Sequence, residues 1–192
     1  MKTNRLETFS DGVLAIVITI MVLELKIPDD DDVDVLRRIL PVFGSYVLSY
    51  INLAIYWNNH HHLLHGTERI NAGIMWSNLH LLFWLSLVPF VTGWVGENDF
   101  APIPVTFYGV VLFMASIAYG ILQSRILALN GNDSELAKAL GKNIKGKLTP
   151  VFYLIGIAGS FYSVWISGAM YVTVAAMWLM PDRKIEKIDT DP

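Results

Sequence analysis

Five histidines, His60, His61, His62, His65 and His80, are the residues of this chain most suited to chemistry. Neutral imidazole is the commonest metal ligand, and His61 and His65 are one helical turn apart, so one face could present both. No acidic residue lies between Asp34 and Glu68, so a site with mixed ligands would need a carboxylate from another helix. The chain has no cysteine, which removes thiolate ligands, thiolate nucleophiles and disulfides. We therefore expect no metal site and no cofactor. The histidines read as helix-end residues that face headgroups or hydrogen-bond buried partners. There is no G-x-S-x-G, P-loop, H-E-x-x-H or G-x-G-x-x-G motif, so no enzyme activity is expected. Thr92-Gly93-Trp94-Val95-Gly96 echoes the carbonyl-lined filter of ordinary ion channels. It follows a full apolar segment without a re-entrant loop and runs into Glu97, so it reads as a turn.

The first apolar segment carries a second set. Arg5, Ser10 and Asp11 stand at its edge, where an ionisable group needs a partner or an exit to water. At about 100° per residue, Arg5 and Asp11 lie about 120° apart, so they cannot bridge each other and each is expected to reach a neighbouring helix. Asn59, His60 and His61, and then Trp76 and Asn78, occupy the matching depth on the next two apolar segments. Further along, Ile16, Ile20 and Leu23 repeat at i, i+4 and i+7 with Thr19 beside them. Gly12 extends the stripe at one end. Glu24, Asp29, Asp30, Asp31 and Asp32 follow at the other. Several copies around an axis would form apolar constrictions under a cation-attracting mouth.

These residues must be held by membrane-spanning helices. Of 192 residues, 54% are hydrophobic and 16% charged, against about a quarter charged in soluble domains. The net charge of −3 excludes a basic nucleic-acid binder. Uncharged or nearly uncharged runs near the ~20-residue bilayer length fall at 8–25, 39–57, 72–94 and 101–124. Leu148–Met180 has 33 uncharged residues, near 50 Å of helix and too long for one ~30 Å core. We read it as two spans, 148–166 and 168–180, turning near Ser167–Gly168. An all-α membrane protein with six transmembrane helices in one domain, 1–192, is expected. Six spans put 11 of the 14 Lys and Arg residues on the side of both termini, which the positive-inside rule makes cytoplasmic. No small-x-small cleavage site precedes Lys26, so the first helix is expected to be retained. Asn130–Lys147 reads as a polar loop with a short helix over Ser134–Leu140.

Arg5-x-x-x-Phe9-Ser10-Asp11-Gly12 running into Ala15-Ile16-Val17-Ile18-Thr19 resembles the signature first helix of the transmembrane protein 175 family, the lysosomal potassium channels and their bacterial relatives. Trp57-x-Asn59-His60-His61, Trp76-x-Asn78-Leu79 and Pro89-Phe90 extend the resemblance over the first half of the chain, and Pro181-Asp182 matches after the last span. His62 stands where an arginine often follows the paired histidines. The resemblance implies a homotetramer in a bacterial cell membrane, whose partners are its own copies, the lipid bilayer and permeant potassium ions. Ile16, Ile20 and Leu23 would match the pore constrictions and Thr19 a hydroxyl linked to selectivity. Arg5, Phe9, Ser10 and Asp11 would belong to the packing network behind the pore. The expected function is modest potassium selectivity over sodium, with the apolar rings as gate and sieve. A secondary transporter and a proton-conducting protein are the alternatives.

Overall fold

Without water to satisfy backbone N–H and C=O groups, an apolar run must pair them internally, and an α-helix does so locally. The computed structural model describes residues 3–25, 33–67, 69–131 and 144–179, and every regular element in them is helical. In chain order these are α1 (Thr3–Leu23), α2 (Val33–His65), α3 (Ala72–Ser86), α4 (Val88–Glu97), α5 (Pro102–Asn130), α6 (Ile144–Gly159) and α7 (Val164–Leu179). The stretches Thr3–Leu23, Val35–His65, Ala72–Glu97 and Pro102–Asn130 are long and apolar enough to cross a bilayer. The third consists of α3 and α4. It is interrupted at Leu87 because Pro89, in the first turn of α4, has no N–H to return to a carbonyl one turn back. With α6 and α7, these stretches give six helical rods among the described residues.

Three boundaries differ from the sequence reading. Thr92–Gly96 is not a turn but the last part of α4. The Thr92 hydroxyl donates to the Val88 carbonyl (2.7 Å), and Gly96 lets α4 approach α2, since a Cβ there would lie 2.7 Å from Val42 Cα. Second, the hairpin between the last two helices turns at residues 160–163, not at Ser167–Gly168. Tyr162 and Ser163 donate their backbone N–H to the Gly159 carbonyl (2.9 and 2.8 Å). Ser167 is buried within α7, and its hydroxyl donates to the Gly156 carbonyl (2.7 Å). Phe161, Tyr162 and Trp165 around the turn are 71%, 90% and 83% exposed, the aromatic signature of a membrane–water interface. Third, Asn130 and 144–147, assigned to a loop, are helical. Ser134–Leu140, Asp29–Asp32 and Pro181–Asp182 lie outside the described residues.

Helix α5 is the centre of the packing, with α3 and α4 on one side and α6 and α7 on the other. Leu112, Ala115, Ala118, Leu122 and Ile126 along it are fully buried. Burial between membrane helices gives little hydrophobic gain, so close contact and small residues carry the packing. At Gly109 of α5 a methyl group would collide with the Tyr171 hydroxyl of α7, which donates to the Val105 carbonyl (3.2 Å). Helix α1 packs at the edge, against α2, α3 and α4.

Candidate functional site

The two faces of α1 part along its whole length. Leu6, Ser10, Leu14, Val17 and Met21 are buried, following the spacing of a single helical face. On the other side Ile16 is 61%, Ile20 42% and Leu23 74% exposed. Gly12 and Thr19 are exposed as well, and the Thr19 hydroxyl is turned back onto the Ala15 carbonyl (2.8 Å). The protomer thus leaves uncovered the stripe that the spacing picked out. At its end Glu24 is exposed and lies against α4, its Oε2 3.3 Å from where a Gly93 Cβ would stand.

Polar contacts fix the buried face. Ser10, fully buried, donates to the Leu6 carbonyl (2.8 Å) and accepts from Asn78 Nδ2 (2.9 Å). Because the amide nitrogen faces Ser10, Asn78 Oδ1 faces His60 Nε2 at 2.6 Å, and that nitrogen must carry the proton. The relay joins α2, α3 and α1, and ends on the α1 backbone. His60 is 1% exposed, and its Nδ1 has no partner among the described residues.

Beside this relay α1 and α2 meet as antiparallel rungs. Trp57 Nε1 donates to Asp11 Oδ1 (3.0 Å), and one turn away His61 Nδ1 meets Glu7 Oε1 at 2.7 Å. The His61 ring stacks between Trp57 (centroids 6.2 Å) and His65 (5.8 Å). The structure therefore brings Ser10, Asp11, His60, His61 and Asn78 together. It does not bring Arg5, Phe9 and Trp76 to them: all three are exposed on the protomer. The Asn59 side chain bonds within its own helix, to the Ile55 carbonyl (2.7 Å). Sequence reasoning missed Glu7 and the role of Trp57, although Glu7 precedes Asp11 by one turn and His61 follows Trp57 by one turn. That matched spacing is the signal of paired faces. His80 sits apart, accepting from Trp84 Nε1 (2.9 Å). Among the described residues no three His, Asp or Glu side chains are grouped to hold a metal ion.

The sequence profile described as the endosomal/lysosomal potassium channel TMEM175 matches residues 5–89, which includes α1 from Arg5 onward, the α2 rungs and Asn78. A potassium channel of Chryseobacterium sp. (strain P1-3) is 50% identical over 187 residues, covering 97% of each chain. The chain belongs to the TMEM175 family. A potassium channel of Chamaesiphon minutus is 30% identical over 181 residues, 86% of this chain and 88% of that one. The crystal structure of a lysosomal potassium-selective channel TMEM175 homolog from the same organism superposes with a TM-score of 0.78 at 28% identity, covering 92% of this chain and 96% of that one. An endosomal/lysosomal proton channel TMEM175 of Danio rerio is 23% identical over 132 residues, 66% of this chain but 24% of its own length. The chain is thus a multi-pass membrane protein of a potassium-channel family.

Proposed function

We propose that four copies of this chain surround a potassium-selective pore lined by α1, with Ile16, Ile20 and Leu23 as stacked apolar rings. The observation that carries this reading is the uncovered stripe, 61%, 42% and 74% exposed at those residues, on a helix whose opposite face is pinned by Ser10, Asp11 and Glu7. One helix cannot enclose a path, so symmetry must supply the rest. Phe9 (52% exposed) and Trp76 (71% exposed) leave apolar surface for the neighbouring subunits. Apolar rings offer no oxygen to replace an ion's hydration shell, so the ion passes partly hydrated or sheds water at a cost. Potassium holds its water less tightly than sodium and is penalised less. The preference is modest, because no multi-site carbonyl filter is involved. A ring that narrows also dewets, so the same residues gate and select. Thr19 borders the rings. Glu24, exposed at the end of the stripe, supplies negative charge to a cation-attracting outer mouth. The protein acts as a conduit, not a catalyst, in the cell membrane of a bacterium with both termini in the cytoplasm.

Purified protein in a planar bilayer under opposed potassium and sodium gradients tests this. Unitary current steps reversing toward the potassium equilibrium potential are expected. Steady flux without unitary steps would assign a transporter instead. The name of the Danio rerio relative favours a second conducted ion, and a pH gradient across the same bilayer reads proton current directly.

A further inference from the structure

Away from α1, the helices α2, α5, α6 and α7 surround a cavity of about 250 Å³. Its walls include Tyr56 of α2, Tyr119 of α5, Lys147, Thr149 and Tyr153 of α6, and Trp178 of α7; no α1 residue lines it. Some of these polar groups are already engaged. The Trp178 indole N–H donates to Thr149 Oγ1 (2.8 Å), and the Tyr119 hydroxyl donates to the Asn59 carbonyl (3.2 Å).

Two others are not. The hydroxyls of Tyr56 and Tyr153 make no hydrogen bond with any described residue, and neither is sealed within packed side chains. Tyr153 is 1% exposed, so the cavity it lines is the space its hydroxyl can reach. With no partner among the described residues, each hydroxyl is free to hydrogen-bond whatever occupies the cavity. Lys147, on α6, is exposed. Among the described residues that line the cavity none is acidic.

The chemistry of an occupant follows from this lining. The groups free to bind an occupant can all donate: two phenolic O–H groups and an ammonium. A hydrocarbon chain would leave both phenols facing methylenes and would make no use of Lys147. Aromatic walls favour a flat apolar body. A volume that would hold roughly eight waters at about 30 Å³ each admits a single substituted ring, not a whole lipid. We propose that this cavity binds a small aryl carboxylate, whose carboxylate oxygens accept from Tyr56 and Tyr153 while Lys147 supplies the opposite charge at the mouth. By the positive-inside reading the ligand enters from the cytoplasm.

The test uses the full chain in zwitterionic lipid nanodiscs and 4-fluorobenzoate as the probe, followed by ¹⁹F NMR titration, a readout independent of ion flux. Saturable binding at one site per subunit is expected, at least tenfold weaker for the neutral 4-fluorotoluene. Lys147→Gln and Tyr153→Phe should each weaken 4-fluorobenzoate at least fivefold. A thermal melt identifies a Tyr153→Phe protein that has lost its fold, in which case Tyr56→Phe carries the same expectation. No saturable binding at millimolar probe would overturn the proposal, as would equal affinity for 4-fluorotoluene or affinities unmoved by these substitutions. Competitive displacement by phosphatidylglycerol in the nanodisc would assign the cavity to a lipid headgroup and end it as well.

Discussion

Asn78→Ala removes the middle of the three-helix relay. In the intact protein Asn78 is fully buried, accepts from His60 and donates to Ser10. His60 Nδ1 is already without a partner among the described residues, so truncation leaves the whole ring unpaired at 1% exposure. An unsatisfied buried donor costs about 1–3 kcal/mol. An interhelical hydrogen bond in a membrane protein is worth about 0.6 kcal/mol on average, and the void left by the amide costs ~1 kcal/mol. Ser10 keeps its own bond to the Leu6 carbonyl, and a turned imidazole recovers part of the loss. The expected cost is therefore about 2–4 kcal/mol, roughly 30- to 700-fold in the folding equilibrium. Asn59→Ala is the internal comparison. Its side chain reaches only the Ile55 carbonyl within α2, so it should cost less than about 0.5 kcal/mol. Steric-trap unfolding in bicelles measures both. An Asn78→Ala protein as stable as the parent, or an Asn59→Ala protein equally weakened, would refute the relay as a structural tie.

Ile16→Asn should raise unitary conductance and move the potassium/sodium reversal potential toward zero, with smaller effects from Ile20→Asn and Leu23→Asn, because an amide keeps the ring wet and ligates either cation. Val17→Asn, on the buried face at 4% exposure, should instead lower stability by about 1–3 kcal/mol with selectivity unchanged, by thermal melt and bilayer recording. Native mass spectrometry of the conducting species should show a tetramer; a monomer or dimer would end the pore model. Gly109→Ala should cost about 1–3 kcal/mol through its collision with the Tyr171 hydroxyl. Gly168→Ala, with nothing within 4 Å of its Cβ position, should be neutral or stabilising by up to about 1 kcal/mol on the same melt.

The division of α1 into two faces was legible because a period near 3.6 separates Leu14, Val17 and Met21 from Ile16, Ile20 and Leu23 whatever surrounds the helix. The neighbourhood of Asn59, His60, His61 and Asn78 was legible from depth alone, since alternating spans bring the same ends together. Which side chain crosses to another helix was not. Asn59 and Asn78 are the same residue at similar depth, and only the azimuth of α2 and α3 decides that one folds back on Ile55 while the other bridges. Glu7 was hidden because the apolar run starts at Thr8, whereas the helix starts at Thr3. The last hairpin was misplaced because no charge marks its turn. The exposed aromatics at 161, 162 and 165 carry that information, but exposure is a property of the fold. Arg5 is exposed, off the buried face that its charge alone suggested, because a charge does not fix which way its helix is turned.

The rungs between α1 and α2 are spaced by one helical turn on both helices, and this has a consequence for alignment. A displacement of α1 by one turn, about 5.4 Å, would set Asp11 opposite His61 and Glu7 opposite His65. Carboxylate would again face imidazole, so this zipper can fasten at more than one notch. Ser10 cannot follow. Its partner is a single amide on a third helix, with no second asparagine one turn along α3 at position 74 or 82. Asn78 is the detent that makes one notch the resting place, and with it the height at which Ile16, Ile20 and Leu23 stand.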